Sequence, residues 1–233
     1  MIFKTKITDI IQRTHDVKSY RFSKPDSFEY TAGQYLIISL PNGKGGSLRK
    51  PLTLSSSPTE DFIEVTKKLT DGHEFSEAFK HLDVGDEVQL DAPYGQFVLD
   101  EKQNKIAMLS GGIGITPFRS ICRYATDLKL KTDIFLFYGN KTSKDIVFKQ
   151  EFDQMKDENQ QFKIVYTLTR QDPNWTGQTG HIDANLIKNE LPDYSQRMFY
   201  LCGPPGMMKA MQDFLQELGV TKQKISVEKF PTN

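Results

Sequence analysis

The sequence predicts a two-domain fold, with an N-terminal antiparallel β-barrel over residues 1–100 and a C-terminal α/β domain over residues 101–233. Residues 1–99 contain many short β-branched or aromatic runs and few helical patterns, which is typical of a small antiparallel barrel. After "DEKQNK" (100–105), strand-like and helix-like segments alternate, and this pattern predicts a doubly wound parallel sheet. A chain of 233 residues is long enough for two such domains.

In the barrel half, turn residues such as Asp71-Gly72 separate short runs of strand-forming residues. A helix interrupts these runs at residues 74–82, because apolar side chains recur there at helical spacing. The predicted strands are "KITDIIQRT", "VKSYRFSK", "QYLIISLP", "KPLTLSSS", "FIEVTKKL", "DEVQLDAP" and "GQFVL".

In the second half, the predicted strands are "IAMLSG", "DIFLFYG", "FKIVYTLTR", "RMFYLCG" and "KISVEKF". Predicted helices between them cover residues 117–127, 143–157 and 205–218, and a short helix opens at Asp183. Because the strands of such a sheet run in one direction, their carboxyl ends should gather ligand-binding loops at one edge.

Composition and charge exclude several function classes. Thirty basic and thirty acidic residues cancel, so no overall charge indicates a nucleic-acid or membrane partner. The two cysteines, Cys122 and Cys202, are far apart, and the four histidines lack metal-ligand spacing. We therefore expect neither a disulfide framework nor a metal site. No signal peptide or membrane-spanning run is recognisable, and we expect a cytoplasmic protein.

The segment "LSGGIGITP" (109–117) places three glycines between a predicted strand and a predicted helix. Thr116 fits the N-cap of that helix, and Pro117 fits its first position. Glycines there would let a pyrophosphate approach the unpaired backbone N–H groups of the helix start. The alternative is a tight strand-to-helix turn in which the glycines serve only packing.

Other strand ends have a similar character. "LCGPPGMM" (201–208) puts Cys202 at the end of a strand and before a Gly-Pro-Pro-Gly turn, while "YGNK" (138–141) and "TLTR" (167–170) end two further strands. In a doubly wound sheet these ends form one ligand crevice. Cys202 is then either part of that crevice or a buried small apolar side chain.

The chain resembles the ferredoxin–NADP reductase superfamily along nearly its whole length. The motifs that carry the resemblance are "AGQY" (32–35), "RKPLTLSSSP" (49–58), "GDEVQLDAPYGQF" (85–97), "GGIGITP", "YGN" and "CGPPGM". The resemblance implies FAD held mainly by the barrel and NADPH or NADH held mainly by the second domain. It also implies that a hydride passes between the two rings at the domain interface.

The flavin motif of that family, Arg-x-aromatic-Ser/Thr, corresponds to "KPLT" with two departures. Thr53 keeps the hydroxyl near flavin N5, but Lys50 stands for the arginine that reaches the pyrophosphate and Leu52 for the aromatic ring that packs on the flavin. Lysine is a point charge rather than a bidentate fork, and leucine loses aromatic stacking. Arg49 is an alternative guanidinium, because strand alternation puts Arg49 and Thr53 on one face.

The resemblance further implies site residues. Thr53, which would orient flavin N5, and Cys202, which would pack near the nicotinamide, are the expected catalytic residues. Arg170 would pair with the adenosine 2′-phosphate, with Lys141 assisting. Phe230 lies either by the flavin face or in the terminal core. The expected flavin-site residues are Arg49, Lys50, Pro51, Leu52, Thr53, Val65, Thr66, Lys67, Gly72, Phe75, Ser76 and Phe230. The expected nucleotide-site residues are Gly111, Gly112, Gly114, Ile115, Thr116, Gly139, Asn140, Arg170, Gly203, Pro204 and Met207.

We expect electrons to pass from NAD(P)H through FAD to a separate one-electron carrier, such as a ferredoxin or flavodoxin that serves an oxygenase. The alternatives are a small diffusible acceptor (free flavin or quinone) and a non-catalytic nucleotide-binding subunit. An acidic carrier protein would dock on a basic patch at the flavin edge. The expected members of that patch are Lys44, Arg49, Lys50, Lys67, Lys68, Lys222, Lys224 and Lys229. The sequence leaves open the choice between NADPH and NADH and the oligomeric state.

Overall fold

The structure is a computed structural model that describes residues 1–41, 46–170 and 172–228. Two six-stranded sheets organise this described part of the chain, and they confirm the predicted pairing of an antiparallel barrel with a parallel sheet. The predicted boundary at residues 100 and 101 lies in the connection between the sheets. None of the helices among the described residues is long and apolar enough to cross a membrane.

The first sheet consists of β1 (Ile2–Thr14), β2 (Val17–Ser23), β3 (Tyr35–Pro41), β4 (Ser47–Thr53), β5 (Phe62–Lys68) and β6 (Glu87–Tyr94). Its order is β4-β3-β6-β1-β2-β5, and each of these neighbouring pairs is antiparallel. A bridge between Leu54 and Val65 joins the end of β4 to β5. This bridge connects the two edge strands and closes the barrel.

Strand alternation fills the barrel core. On β3, Leu36 and Ile38 are fully buried, and on the facing side of the barrel Val65 of β5 joins the same apolar cluster. Helix α1 (Glu74–Lys80) contributes the buried ring of Phe79. The helix ends two residues earlier than the predicted 74–82, because the backbone leaves helical geometry at His81.

The second sheet consists of β7 (Lys105–Gly111), β8 (Asp133–Asn140), β9 (Phe162–Leu168), β10 (Gln178–Thr179), β11 (Met198–Cys202) and β12 (Ile225–Val227). Its order is β10-β9-β8-β7-β11-β12, with parallel pairing throughout. The helices packed on it are α2 (Thr116–Asp127), α3 (Lys149–Glu158), α4 (Ala184–Glu190) and α5 (Pro205–Glu217).

Both faces of this sheet are buried, which explains why its strands are continuous apolar runs. On β7, Ile106 and Met108 join the cluster on the α2 and α3 face. Ala107 and Leu109 join the cluster on the opposite face, with Met211 of α5. The carboxyl ends of β7, β8 and β11 therefore open at one edge between two helical layers.

Two predicted elements are wrong. The structure pairs "GQFVL" (95–99) with no described strand; instead the Phe97 ring packs on Phe118 of α2 and Tyr200 of β11, with ring centroids 5.8 and 5.6 Å away. The segment therefore anchors the barrel to the second domain. The predicted helix 143–157 is interrupted, because Phe148 takes a left-handed backbone conformation (φ 61°) and α3 begins only after it.

A buried charge network also joins the domains. The side chain of Arg119 on α2 is 3% exposed; it donates to the Ser55 carbonyl (3.1 Å) and pairs with Glu60, both from the barrel domain. The same guanidinium donates to Glu151 of α3 at 2.8 Å. Arg13 of β1 reaches Glu151 as well, at 2.6 Å. These bonds fix α2, and with it the glycine segment before α2, against the barrel.

Candidate functional site

A cavity of about 990 Å³ opens at the carboxyl edge of the parallel sheet. The glycine segment after β7, the end of β8 and the turn before α5 form most of its wall, while the β1–β2 turn and the end of β5 close one side. Both domains therefore contribute to one cavity, and its volume suits an extended nucleotide.

The glycines of "GGIGITP" have different roles. A Cβ on Gly111 would collide with the Met207 side chain, and one on Gly114 would lie 2.5 Å from the Cys202 carbonyl oxygen. Gly114 is required by packing, because its neighbours are backbone atoms of the β11–α5 turn, whereas the flexible Met207 side chain beside Gly111 could move. Gly112 has φ 52° and open space where a Cβ would lie, and it faces the cavity. The packing interpretation therefore accounts for Gly114, while Gly112 stays open to the cavity, where the ligand-binding interpretation expects it.

Thr116 is not the N-cap that the sequence predicts. A 3₁₀ turn (Gly112–Ile115) runs directly into α2, so Thr116 is already helical, and its hydroxyl donates to the Ile113 carbonyl at 3.3 Å. Pro117 lies in the first turn of α2, as predicted. Ile115 and Thr116 are both buried.

Asn140 is the strongest sign of a polar ligand in this cavity. It ends β8, is 6% exposed and lines the wall. Both polar atoms of its amide are buried and make no hydrogen bond of normal geometry among the described residues, although the Tyr138 hydroxyl lies close to them. A buried amide without such hydrogen bonds costs free energy, which a bound ligand with a donor and an acceptor would recover.

Cys202 and Glu228 lie together behind this cavity. Cys202 is fully buried in the core cluster and does not line the cavity wall. Burial, and then the nearby Glu228 charge, raise the pKa of the Cys202 thiol. The backbone N–H of Glu228 donates to the Leu201 carbonyl at 3.0 Å, and burial raises the pKa of the Glu228 carboxyl to about 7. Sequence patterns do not single out Glu228, although it lies two residues before Phe230.

The barrel carries a second, basic cleft of about 480 Å³ between β4, the end of β5 and the start of α1. Arg49, Lys50 and Lys67 line it, together with Phe75 and Ser76. Burial, and then the charge of Lys50, lower the pKa of Lys67 to about 8. A concentration of positive charge in a half-buried cleft is the environment that a phosphate ligand needs.

The structure distinguishes Arg49 from Lys50. The Arg49 guanidinium is engaged with Asp91 at 3.3 Å, and Asp91 also accepts from the Tyr94 hydroxyl at 2.8 Å. Lys50 makes no ion pair with any described carboxylate, and its strand partner Ile38 is a core residue of the barrel. Lys50 is thus the more available cation, which favours the register that aligns Lys50 with the family arginine.

The predicted site residues divide into groups. Those lining the basic cleft are Arg49, Lys50, Lys67, Phe75 and Ser76. Those lining the nucleotide cavity are Gly111, Gly112, Gly139, Asn140, Pro204 and Met207. Those lining neither are Pro51, Leu52, Thr53, Val65, Thr66, Gly72, Gly114, Ile115, Thr116, Arg170, Cys202 and Gly203. Phe230 lies outside the described residues.

Some of the residues in the third group are committed to the fold. The Thr66 hydroxyl lies 2.7 Å from Ser19 Oγ and 2.9 Å from Ser55 Oγ, in a buried network beneath α2. Val65 is a barrel core residue. Arg170 is exposed, and its backbone N–H donates to the Lys141 carbonyl at 3.0 Å.

The described members of the expected docking patch do not all lie together. Lys224 precedes β12 and donates to the Ser195 carbonyl at 2.8 Å, just before β11. Because β11 and β12 are parallel, Lys222 and Lys224 lie at the amino edge of the sheet, about 13 Å or more from its carboxyl end. Lys68 is paired with Asp16 at 2.7 Å. Lys44 and Lys229 lie outside the described residues.

A barrel with a basic cleft, joined to a parallel sheet with a glycine-lined nucleotide cavity, defines a two-domain flavoprotein oxidoreductase. Residues 4–99 match the family described as Oxidoreductase FAD-binding domain, and residues 108–213 match Oxidoreductase NAD-binding domain. The chain belongs to the ferredoxin–NADP reductase superfamily, and FAD and a nicotinamide nucleotide are the cofactors of its two domains.

Named relatives support this assignment. The chain is 32% identical over 235 residues to NADH-cytochrome b5 reductase 1 of Mortierella alpina, covering 98% of this chain and 78% of that protein. It is 30% identical over 229 residues to the glycine betaine monooxygenase reductase subunit of Chromohalobacter salexigens, covering 95% of this chain but only 62% of that protein. A ferredoxin NADP+ reductase from Neisseria gonorrhoeae with bound FAD and NADP has the same fold, with a TM-score of 0.84, 22% identity, and coverage of 97% and 98% of the two chains.

Proposed function

We propose that this chain takes a hydride from NAD(P)H onto FAD and delivers the electrons to a separate one-electron carrier protein. The observation that carries the proposal is the nucleotide cavity whose wall contains residues of both domains, Gly111 and Met207 from one and Val17 from the other. A nucleotide bound there would be held against the flavin domain, which is the arrangement that hydride transfer needs. Bound FAD supplies the step from hydride to single electrons.

The chain's own residues would bind and orient. Lys50 and Lys67 fit the flavin pyrophosphate, since both line the basic cleft. Asn140 would donate to and accept from the nucleotide through its buried amide. The Glu228 carboxyl, whose pKa is about 7, would hold a proton at its Oε atoms near the strand end. We assign Thr53 a role near flavin N5 and Cys202 a packing role behind the nicotinamide site, since neither residue lines the cavity or the cleft.

A ferredoxin or flavodoxin is our first choice of carrier, because one relative is named as the reductase subunit of a monooxygenase. A cytochrome b5-type carrier is the second candidate, because another relative is named as a cytochrome b5 reductase. We place this activity in the cytoplasm, since both cysteines are buried free thiols, which fits a reducing compartment. We further propose that the FAD-binding domain ends at residue 100 and that the nucleotide-binding domain begins at residue 101.

The experiment is a steady-state comparison of acceptors with NADH and with NADPH as donor. Ferredoxin, flavodoxin, cytochrome b5, free flavin and a quinone are each offered at several concentrations. We expect the highest kcat/KM with ferredoxin or flavodoxin. A higher kcat/KM with cytochrome b5 would transfer the proposal to the second candidate, and a preference for free flavin or quinone would overturn the protein-carrier proposal.

A further inference from the structure

Two lysine side chains line the basic cleft, and the charge of one acts on the other. Lys50 lies on β4 and Lys67 on β5, and both line the cleft. Neither forms an ion pair with a carboxylate in the described ranges; the Lys67 ammonium donates only to the Lys68 carbonyl, at 3.2 Å, and lies 5.7 Å from the Phe75 ring centroid. Like charges held together in a half-buried site repel, so the two unpaired ammonium groups carry an electrostatic cost.

Strand geometry imposes this arrangement. On β5, Ile63 and Val65 face the barrel core, and Lys67 continues the same face where the barrel opens. On β4, Lys50 stands opposite the core residue Ile38. Both lysines therefore lie on the inner face of the barrel, at the open end that forms the cleft.

The surrounding charges do not offset this repulsion. Arg49 lines the cleft but is engaged with Asp91, and Lys18 of β2 stands opposite Lys67 in the strand ladder. From α1 and the turn before it, His73 and Glu74 line the cleft; Glu74 is the acidic member of the set and makes no ion pair among the described residues.

We propose that Lys50 and Lys67 form one phosphate clamp for the FAD pyrophosphate, so that FAD binding takes up a proton in mildly alkaline solution. This inference rests on the proposed placement of FAD in the cleft. The clamp would replace the single family arginine with two point charges from neighbouring strands. A pyrophosphate between the two ammonium groups turns their repulsion into attraction and requires Lys67 to be charged.

The sign of the pH effect follows from linkage. Burial and the Lys50 charge lower the pKa of Lys67 to about 8, and a bound phosphate would raise it. Below pH 8 Lys67 is charged in both states, so its contribution to FAD affinity is constant. Above pH 8 the empty protein loses a proton that the complex keeps, so affinity falls by up to about tenfold per pH unit. We expect FAD to bind about tenfold more weakly at pH 9 than at pH 7.

The test measures the FAD dissociation constant by diluting the FAD-loaded protein and following the fluorescence of released FAD between pH 6.5 and 9.5. Lys67→Arg should bind FAD as tightly as the wild type at pH 7 and lose the pH dependence, because arginine stays charged. Lys67→Met should bind about 10- to 100-fold more weakly at pH 7, also without pH dependence. Lys50→Met should move the onset of the pH effect upward, since it removes the repulsion.

Lys6→Met is the matched control, because Lys6 is an exposed lysine of the same barrel on β1. Its FAD affinity and pH profile should equal those of the wild type. A wild-type affinity that is constant from pH 7 to 9, or a pH dependence that survives in Lys67→Arg, would overturn the clamp while leaving FAD binding intact. A protein that binds no FAD at any pH would instead overturn the proposed function. Lys67→Arg keeps the test valid if Lys67→Met does not fold.

Discussion

At the scale of single residues, the carboxyl of Glu228 has an unusually high pKa because of its surroundings. It follows the last described strand and lies beside the buried Cys202 thiol, and burial raises its pKa to about 7. A group that binds its proton more tightly in the folded state stabilises that state at low pH. This stabilisation is fully present below the usual pKa of a glutamic acid and is lost as the pH rises through about 7.

Glu228→Gln should therefore change the pH dependence of stability. We expect the Tm of the variant to exceed that of the wild type by a few degrees at pH 8.5, and the difference to shrink towards pH 5. Thermal unfolding across this range checks it, with the exposed Glu29→Gln as control. A Tm difference that is the same at both pH values would show that the pKa of Glu228 is not raised in the folded state.

Arg170 is the residue that we expect to favour NADPH over NADH by pairing with the adenosine 2′-phosphate. Its side chain is exposed at the end of β9, so a contact with the 2′-phosphate would be partly screened by solvent. We expect Arg170→Ala to weaken NADPH binding by about tenfold, towards the low end for charge-assisted contacts, and to leave NADH binding nearly unchanged. Titration of both nucleotides checks this, and equal losses would assign Arg170 to the pyrophosphate or to the fold.

At the scale of elements, the turn between β7 and α2 is fixed from two sides. Gly114 packs so closely on the Cys202 carbonyl that a Cβ would lie 2.5 Å from its oxygen. Both partners are backbone, and Arg119 holds α2 against the barrel, so neither can move freely. The element that carries Gly112 is thus positioned by packing, while Gly112 itself stays open to the cavity.

Gly114→Ala should destabilise the protein by about 1–3 kcal/mol, because overpacking of a close contact forces the backbone apart. Gly206→Ala is the matched control: it lies in the first turn of α5 with open space around it and should cost nothing in unfolding free energy. Urea unfolding of the two variants checks the difference. A Gly114→Ala variant as stable as the wild type would contradict the claim that close packing requires a glycine at this position.

Elements with a strong local signal were predictable from the sequence. Apolar runs such as "IAMLSG" indicate strands buried on both faces, and the glycine turns after them locate the cavity edge. The prediction of a strand at "GQFVL" was wrong because the Phe97 ring is buried against the other domain rather than across a strand pair. The prediction of a continuous helix over residues 143–157 was wrong because a left-handed residue other than glycine, here Phe148, leaves no sequence signature.

The site was predictable in part for the same reason. The lysines of the basic cleft belong to strands whose alternation is local, so their neighbourhood follows once β4 and β5 are known. Glu228 was missed because its raised pKa arises from burial by residues distant in sequence. No spacing rule in one chain shows such burial.

At the scale of the whole molecule, the domains are joined by buried charges. Arg119 of α2 binds Glu60 and the Ser55 carbonyl of the barrel domain and Glu151 of its own domain. Arg13 of the barrel reaches Glu151 from the other side. Because the nucleotide cavity has walls from both domains, this network holds the two walls of the cavity together.

Arg119→Met should destabilise the protein by up to about 3–5 kcal/mol, since it leaves the partly buried Glu60 carboxylate without its ion-pair partner. Arg123→Met, one turn along the same helix, is the control: its partners Asp127 and Glu158 lie within the second domain, and the loss should be about 1 kcal/mol or less. Denaturant unfolding checks both. Equal losses would show that the interdomain network adds nothing beyond a surface ion pair.

The measurement that tests the central claim most directly is an anaerobic titration of the FAD-loaded protein with NADH and NADPH, followed by flavin absorbance. The account predicts that the oxidised flavin band bleaches with about one equivalent of nucleotide per FAD, because a hydride carries both electrons that FAD accepts. It also predicts that the band returns when an oxidised one-electron carrier is added. A flavin band that stays unchanged with an excess of both nucleotides would contradict it.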